Sequence, residues 1–265
     1  MSEDKTIIKK DKRRLVIAIT VVFLAGWFSF AYYQFINQIL VIPLEGEVVG
    51  FGATTLALHQ AKVDENVRAV ILYLNTPGGG AFACIEIAKY VAEVTKIKPV
   101  IAVMGPTCAS GGYYIASFAT YVLTHSNTVT GGIGVIAVWV DMSKYYEEQG
   151  INITVWKTGP QKDIGADWRP PTEEEREMIN STVYSIFQIL LNDIQQNRNL
   201  SQDTLDIVSQ GGTYSGSDAV ELGLADEIGD IVNAVEEAIK RTGMWKFIII
   251  SPEMDDKQRF LKAIL

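Results

Sequence analysis

The chain has 265 residues, 48% of them apolar and 20% charged, which is enough to bury a full core and too apolar for a disordered chain. The formal net charge is −8; the tail Met1–Arg14 holds six basic and three acidic residues, so the remainder carries 17 basic against 28 acidic. That balance argues against a nucleic-acid surface, and two cysteines, Cys84 and Cys108, give no disulfide framework.

From Leu15 to Ile36 run 22 residues without a formal charge. As a helix rising about 1.5 Å per residue they would cover the roughly 30 Å hydrocarbon core of a bilayer. Trp27, Phe28, Tyr32 and Tyr33 thicken toward the far end, where an aromatic belt sits. Lys9, Lys10, Lys12, Arg13 and Arg14 precede the stretch, and no Lys or Arg follows until Lys62. The expectation is a cytoplasmic basic tail (1–14), a single-pass anchor in the cell membrane (15–36) and an extracytoplasmic domain (37–265). A cleaved signal peptide, with Ser29-Phe30-Ala31 as its small-x-small site, is the competing reading, and both export the body.

Past Pro43 the pattern alternates. Apolar runs at Ile39–Ile42, Val67–Leu74, Val100–Met104, Tyr121–Leu123, Val135–Val140 and Ile151–Trp156 read as buried strands. Helical periodicity occupies Ala53–Lys62, Ala81–Lys96 and Met142–Glu148. Strand and helix in alternation predict an α/β fold with parallel strands. Cys84 falls on an apolar stripe with Ile87, Ala88, Val91 and Val94 and reads as core; one disulfide to Cys108 stays open if the body is exported. After Pro170-Pro171, Thr172 and Glu175 form a capping box for a long helix running to about Arg198, with Met178, Val183, Ile186, Ile189 and Leu190 on its apolar face.

Two strand-to-helix turns carry the chemistry. Val67–Leu74 runs into Asn75-Thr76-Pro77-Gly78-Gly79-Gly80, whose glycines let the backbone turn sharply and present amides to an oxyanion. It lacks the Lys-Ser/Thr ending of a phosphate loop. Val100–Met104 leads to Ala109-Ser110-Gly111-Gly112, placing a serine where a nucleophile needs to be, although a plain helix N-cap reads equally well. Of the two histidines, His59 sits in a helix and His125 after a strand, so a Ser-His-Asp triad has little support. A desolvated lysine can serve as base, and Lys162 lies in the loop Gly159–Gly165 with Trp156 and Trp168 nearby; in isolation a solvated loop lysine is the plainer reading.

Together these segments resemble the signal peptide peptidase A family, Ser/Lys peptidases of the Clp–crotonase fold. The resemblance runs from about Ile39 to Gly229. It is carried by Asn75-Thr76-Pro77-Gly78-Gly79-Gly80, Ala109-Ser110-Gly111-Gly112-Tyr113-Tyr114, Thr130-Gly131-Gly132-Ile133-Gly134-Val135, Lys162-Asp163-Ile164, Arg169-Pro170-Pro171-Thr172-Glu173-Glu174, Gly212-Thr213-Tyr214-Ser215-Gly216 and Gly223-Leu224-Ala225-Asp226. The resemblance implies Ser110 as nucleophile, Lys162 as general base, and Gly78, Gly79 and Gly111 as oxyanion and substrate-binding positions. Lys162 follows Ser110 by 52 positions, as in single-domain members whose two catalytic residues come from one chain. It further implies peptide substrates such as remnant signal peptides, a ring-like homo-oligomer around an apolar groove, and no metal or organic cofactor. One departure stands out: the family commonly has Gly-Ser where this chain has Gly131-Gly132, so the hydroxyl that helps hold the lysine is absent, with Thr130 or a water as stand-in.

Three other functions compete. A stomatin-type membrane peptidase shares the fold. An acyl-CoA enzyme would use the same oxyanion hole but generally carboxylate catalysts. A non-catalytic membrane scaffold would use the long helix and Trp245–Ile250 for assembly. The mixed basic and apolar end Arg259–Leu265 is a candidate to dock in the peptide groove, or a flexible tail.

Overall fold

The computed structural model describes residues 15–28 and 37–253. The candidate docking end Arg259–Leu265 and part of the expected anchor lie outside the described residues. Residues 15–28 form helix α1, exposed along its whole length. No helix among the described residues is long and apolar enough to cross a membrane; α1 as described covers roughly 21 Å at 1.5 Å per residue.

The body is built on an eight-stranded sheet. Its centre is β1 (Asn37–Glu45), β2 (Val67–Thr76) and β3 (Val100–Ala109), all parallel. Helices α2 (Gly52–Val63) and α3 (Ala81–Thr95) make the crossovers. Parallel strands covered on both faces need continuous apolar runs, and β2 supplies one. Val70, Leu72 and Leu74 point into the core shared with α2 and α3, while Ala69 and Ile71 point to the other face. There α9 (Ile231–Thr242) covers the sheet through Ala234 and Ala238. The α/β class with parallel strands is therefore as the sequence predicts.

Past β3, the short α4 (Gly111–Ser117) drives into the core with Tyr113 and Ile115 fully buried, and β4 (Tyr121–Thr124) and β5 (Val129–Gly131) both pair with β3. A short α5 (Ser143–Glu148) precedes the long helix α6 (Glu173–Arg198). Thr172 accepts from the Glu175 amide and the Glu175 carboxylate accepts from the Thr172 amide, which is the expected capping box. Asn199, at φ 50°, ends the helix in the left-handed conformation. Only the second half of α6 buries an apolar face, through Leu190, Leu191 and Ile194; Met178 and Ile189 are exposed.

The chain closes through α7 (Gln202–Val208), β6 (Thr213–Ser215), α8 (Gly216–Glu221), β7 (Glu227–Ile228), α9 and β8 (Phe247–Ile250). β6 is antiparallel to β5, and β8 joins the sheet parallel to β1. The C-terminal segment weighed above for assembly thus pairs within its own chain.

Two expected strands do not form. Val135–Val140 and Ile151–Trp156 have extended-looking patterns but no hydrogen-bonded partner among the described residues. Their apolar residues face solvent, with Ile136 86% and Val138 78% exposed. A strand is defined by its neighbour, and the described residues offer none there.

Candidate active site

The sheet delivers Ser110 at the C-terminal end of β3. Its backbone sits at φ 53° and ψ −125°, and Asn199 is the only other non-glycine with positive φ among the described residues. Such a conformation costs on the order of 1–3 kcal/mol and persists only where surroundings enforce it. The Ser110 N–H donates to the Gly131 carbonyl at 2.7 Å, and the Ser110 carbonyl accepts from the Tyr114 N–H at 3.0 Å. Below, the Tyr113 hydroxyl donates to the Leu224 carbonyl and that of Tyr114 to Asp193 on α6. Ser110 stands at the N-cap of α4 yet its side chain makes no cap hydrogen bond. The plain capping role is therefore not how this hydroxyl is used.

The glycine turn after β2 presses against it. A Cβ at Gly78, where φ is +97°, would lie 2.7 Å from the Gly111 nitrogen and 2.9 Å from the Ser110 Cβ. One at Gly79 would meet the Val48 carbonyl oxygen. Val48 pins the turn by donating to the Gly78 carbonyl at 2.8 Å and accepting from the Gly80 N–H at 2.9 Å. The intervening Gly79 N–H, like the Gly111 N–H, donates to no group among the described residues. A Cβ at Gly111 would stand 3.6 Å from the Gly79 nitrogen, so the two amides are neighbours. Two unpaired amides beside an unpaired hydroxyl suit an oxygen that gains negative charge.

Over this group opens a cavity of about 930 Å³. Ser110, Gly79 and Gly111 line it, with Cys84 beside them, Ile133 and Val135 on one wall, and Val183 and Phe187 of α6 on the other. Cys84 is both core and lining; burial pushes its thiol up to about 11, so it stays protonated and is no rival nucleophile. Cys84 and Cys108 are both buried and unbridged. Neither histidine lines the cavity. Val183 falls on the apolar face expected for α6, but its place in the cavity wall, like that of Phe187, is not an expectation from the sequence; the helical spacing Val183, Phe187, Leu190, all three lining the cavity, is the available signal.

Lys162 is placed differently from the other site residues. It is exposed and does not line the cavity. Its loop is tied to the start of α6 by Gln161, which donates to Glu174 at 2.8 Å. Asp193, the α6 partner of Tyr114, lies 19 residues further on, roughly 28 Å along the helix at 1.5 Å per residue. One copy of the chain brings Ser110, Gly78, Gly79 and Gly111 together and leaves Lys162 outside.

The Lys162 loop is nevertheless firmly built. Arg169 donates to Asp163 at 2.9 and 3.1 Å and to Glu175 at 2.6 and 2.7 Å, while Lys157 donates to Asp163 at 2.7 Å. Arg169 also stacks on Trp139, at 5.6 Å from the ring centroid. The hydrogen bonds from Arg169 hold the Asp163 and Glu175 carboxyls well below the usual range, Glu175 at about 2. Charged groups this well satisfied fix a loop's shape more than they add stability.

Two details bear on Gly132. The Thr130 hydroxyl is buried and donates to the Cys108 carbonyl at 2.6 Å, so it is committed elsewhere and does not replace the missing serine hydroxyl. A Cβ at Gly132 would find only ordinary contacts, 3.5 Å to the Ser110 nitrogen and 3.7 Å to the Ala109 Cβ.

Residues 92–244 match the model of peptidase family S49. The chain belongs to that family. Among curated proteins it is 34% identical to a putative protease of Methanocaldococcus jannaschii, across 69% of this chain and 58% of the relative. It is 32% identical to a putative signal peptide peptidase SppA of Enterococcus faecium, across 75% and 58%. It is also 34% identical to Protease 4 of Haemophilus influenzae, across 78% and 35%. The alignments thus take in little more than half, or less, of these S49 relatives. A membrane-bound stomatin-specific protease, solved as a serine-to-alanine mutant, superposes with a TM-score of 0.54 at 16% identity, across 81% of this chain and 97% of that one. That likeness is one of fold.

Proposed function

We propose that this S49 chain is a membrane-anchored serine peptidase of the Clp–crotonase type, cutting apolar or unfolded peptides such as remnant signal peptides. The observation that carries it is the strained Ser110, its hydroxyl unused, beside the unpaired amides of Gly79 and Gly111 at the floor of an apolar cavity. The Ser110 Oγ attacks the peptide carbonyl carbon while Lys162 Nζ, as general base, takes its proton. The tetrahedral oxyanion forms against Gly79 and Gly111 N–H. Collapse expels the amine, which takes the proton back from Lys162, and water then hydrolyses the acyl-serine by the same route. Supporting the anchor are the uncharged stretch Leu15–Ile36 and an α1 that is apolar yet exposed all round, with no protein core to bury in.

The base reaches the serine in the homo-oligomer. What supports this is the position of Lys162 outside its own cavity, on an arm whose segments Val135–Val140 and Ile151–Trp156 are patterned as strands and left unpaired. Such segments call for a neighbouring copy. A serine-reactive fluorophosphonate, mapped by mass spectrometry, should label Ser110 and label it far more slowly in Lys162→Ala; no adduct on Ser110 in an active preparation would end the assignment. Chains carrying Ser110→Ala and Lys162→Ala should each be inactive. Co-expressed in equal amounts, they should recover about a quarter of wild-type turnover, the share of random interfaces holding both intact partners. No recovery would return both groups to one chain.

Gly132→Ser tests how the lysine is held. We expect the variant to fold, about 1 kcal/mol less stable because φ at this position is +59°. Peptide turnover should rise several-fold, for one added hydrogen bond of about 1 kcal/mol. Unchanged turnover in a folded variant would take position 132 out of the account.

A further inference from the structure

The central strands run parallel, so their first residues, Asn37, Val67, Val100 and Phe247, share one rim of the sheet. The Ser110 cavity opens at the other end. Strand β2 spans ten residues, roughly 33 Å at about 3.3 Å per residue, so the two rims are well separated.

The first rim has a chemistry of its own. A second cavity, about 480 Å³, opens there and is lined by Arg68, Lys98 and Arg241, with Glu65 as the one carboxylate. Three cations face one anion among the lining side chains; Arg241 is paired with Glu237 behind the rim, which leaves Arg68 and Lys98 as cations without an ion pair among the described residues. Arg68 is exposed and makes no ion pair among the described residues. Lys98 donates to the Ala61 and Asp64 carbonyls at 2.5 Å each, which fixes its ammonium group without neutralising it. Arg241 donates to Glu237 at 2.7 Å and stacks over Tyr121 at 5.1 Å. Apolar side chains project from the same rim: Ile97, 59% exposed, lines the cavity, and Trp245, 89% exposed, stands two residues before Phe247, the partner of Asn37.

Guanidinium groups suit phosphate oxygens, and a bare tryptophan beside cations suits the headgroup layer of a bilayer better than bulk water. The sequence names the occupant: the apolar stretch Leu15–Ile36 runs directly into Asn37, on this rim. We propose that the rim carrying Arg68, Lys98, Arg241, Ile97 and Trp245 docks on an anionic phospholipid surface. The inference rests on the anchored reading above for its geometry. Docked this way, the strands stand along the membrane normal and the Ser110 cavity lies roughly 30 Å from the headgroups. An extended peptide then needs about nine residues clear of the bilayer before it reaches the serine.

The test places the full chain in nanodiscs of phosphatidylcholine, alone or mixed with phosphatidylglycerol, made with or without dibrominated acyl chains. Bromine quenches tryptophan at the interface, and the difference between wild type and Trp245→Phe isolates Trp245 from Trp27, Trp139, Trp156 and Trp168. In brominated anionic discs the Trp245 emission should fall by at least about half, and most of it should return in Arg68→Glu or at high salt. Unquenched Trp245 in a chain held by the discs would overturn the docking face, as would equal quenching in neutral discs. Resistance to alkaline carbonate reads the anchor separately. A chain that carbonate removes, but whose Trp245 is still quenched by added anionic vesicles, loses the anchor and keeps the face.

Discussion

Ser110→Ala should lower kcat/KM for peptide cleavage by about four to six orders of magnitude while leaving the fold intact. The loss is large because the proposed reaction passes through a covalent bond to that oxygen. The fold is spared because the hydroxyl caps nothing and makes no hydrogen bond among the described residues. Alanine inherits the same strained backbone, φ 53° and ψ −125°, so thermal stability should match wild type. Ser110→Gly adds a sharper reading: equally inactive, it should be more stable than the alanine variant by about 1 kcal/mol, since glycine adopts this conformation without a Cβ penalty. Residual cleavage near wild-type rates by either variant would remove Ser110 as nucleophile. A glycine variant less stable than alanine would remove strain from the description of the site.

Gly111→Ala should be the second most damaging change, and by a different route. Its new Cβ would fall 3.1 Å from the Cβ of Cys84 and closer still to the sulfur. Cys84 is anchored on α3 in the core, so the overlap is relieved by moving Gly111. Overpacking of this kind costs about 1–3 kcal/mol, and displacing one oxyanion donor costs about 10²–10³ in turnover. Cys84→Ala removes the offending sulfur and by itself leaves a small void. The double variant should therefore be more stable than the two single effects predict, by about 1 kcal/mol, with part of the turnover restored. Thermal melts and turnover on the four proteins decide the matter; strictly additive effects would mean that Cys84 does not set the position of the Gly111 amide.

The local rules of the chain were legible wherever they depended on near neighbours. The run Val67–Leu74 had to be a buried strand because it is apolar on both faces, and it became β2. Thr172 and Glu175 announced the start of α6 because a capping box closes within three residues. Glycines at 78, 79 and 111 announced a close approach, and the distances a Cβ would make show what they approach. The expectation of a strand at Val135–Val140 fails for a reason of the same kind. Its unbroken apolar run is that of a buried strand, but pairing depends on what lies beside it, and no strand among the described residues does.

By itself, then, the sequence determined the α/β class, the two glycine turns and Ser110 as the serine to watch. These follow from periodicity and from backbone conformations that few residues tolerate. Only the tertiary structure decided that the Ser110 hydroxyl is unused, that two unpaired amides meet beside it, and that Lys162 stands outside the cavity of its own chain. Those are relations between β2, β3, α4 and the arm before α6. Spacing along a chain cannot give them, because 52 residues of sequence can fold back or reach away equally well until packing chooses.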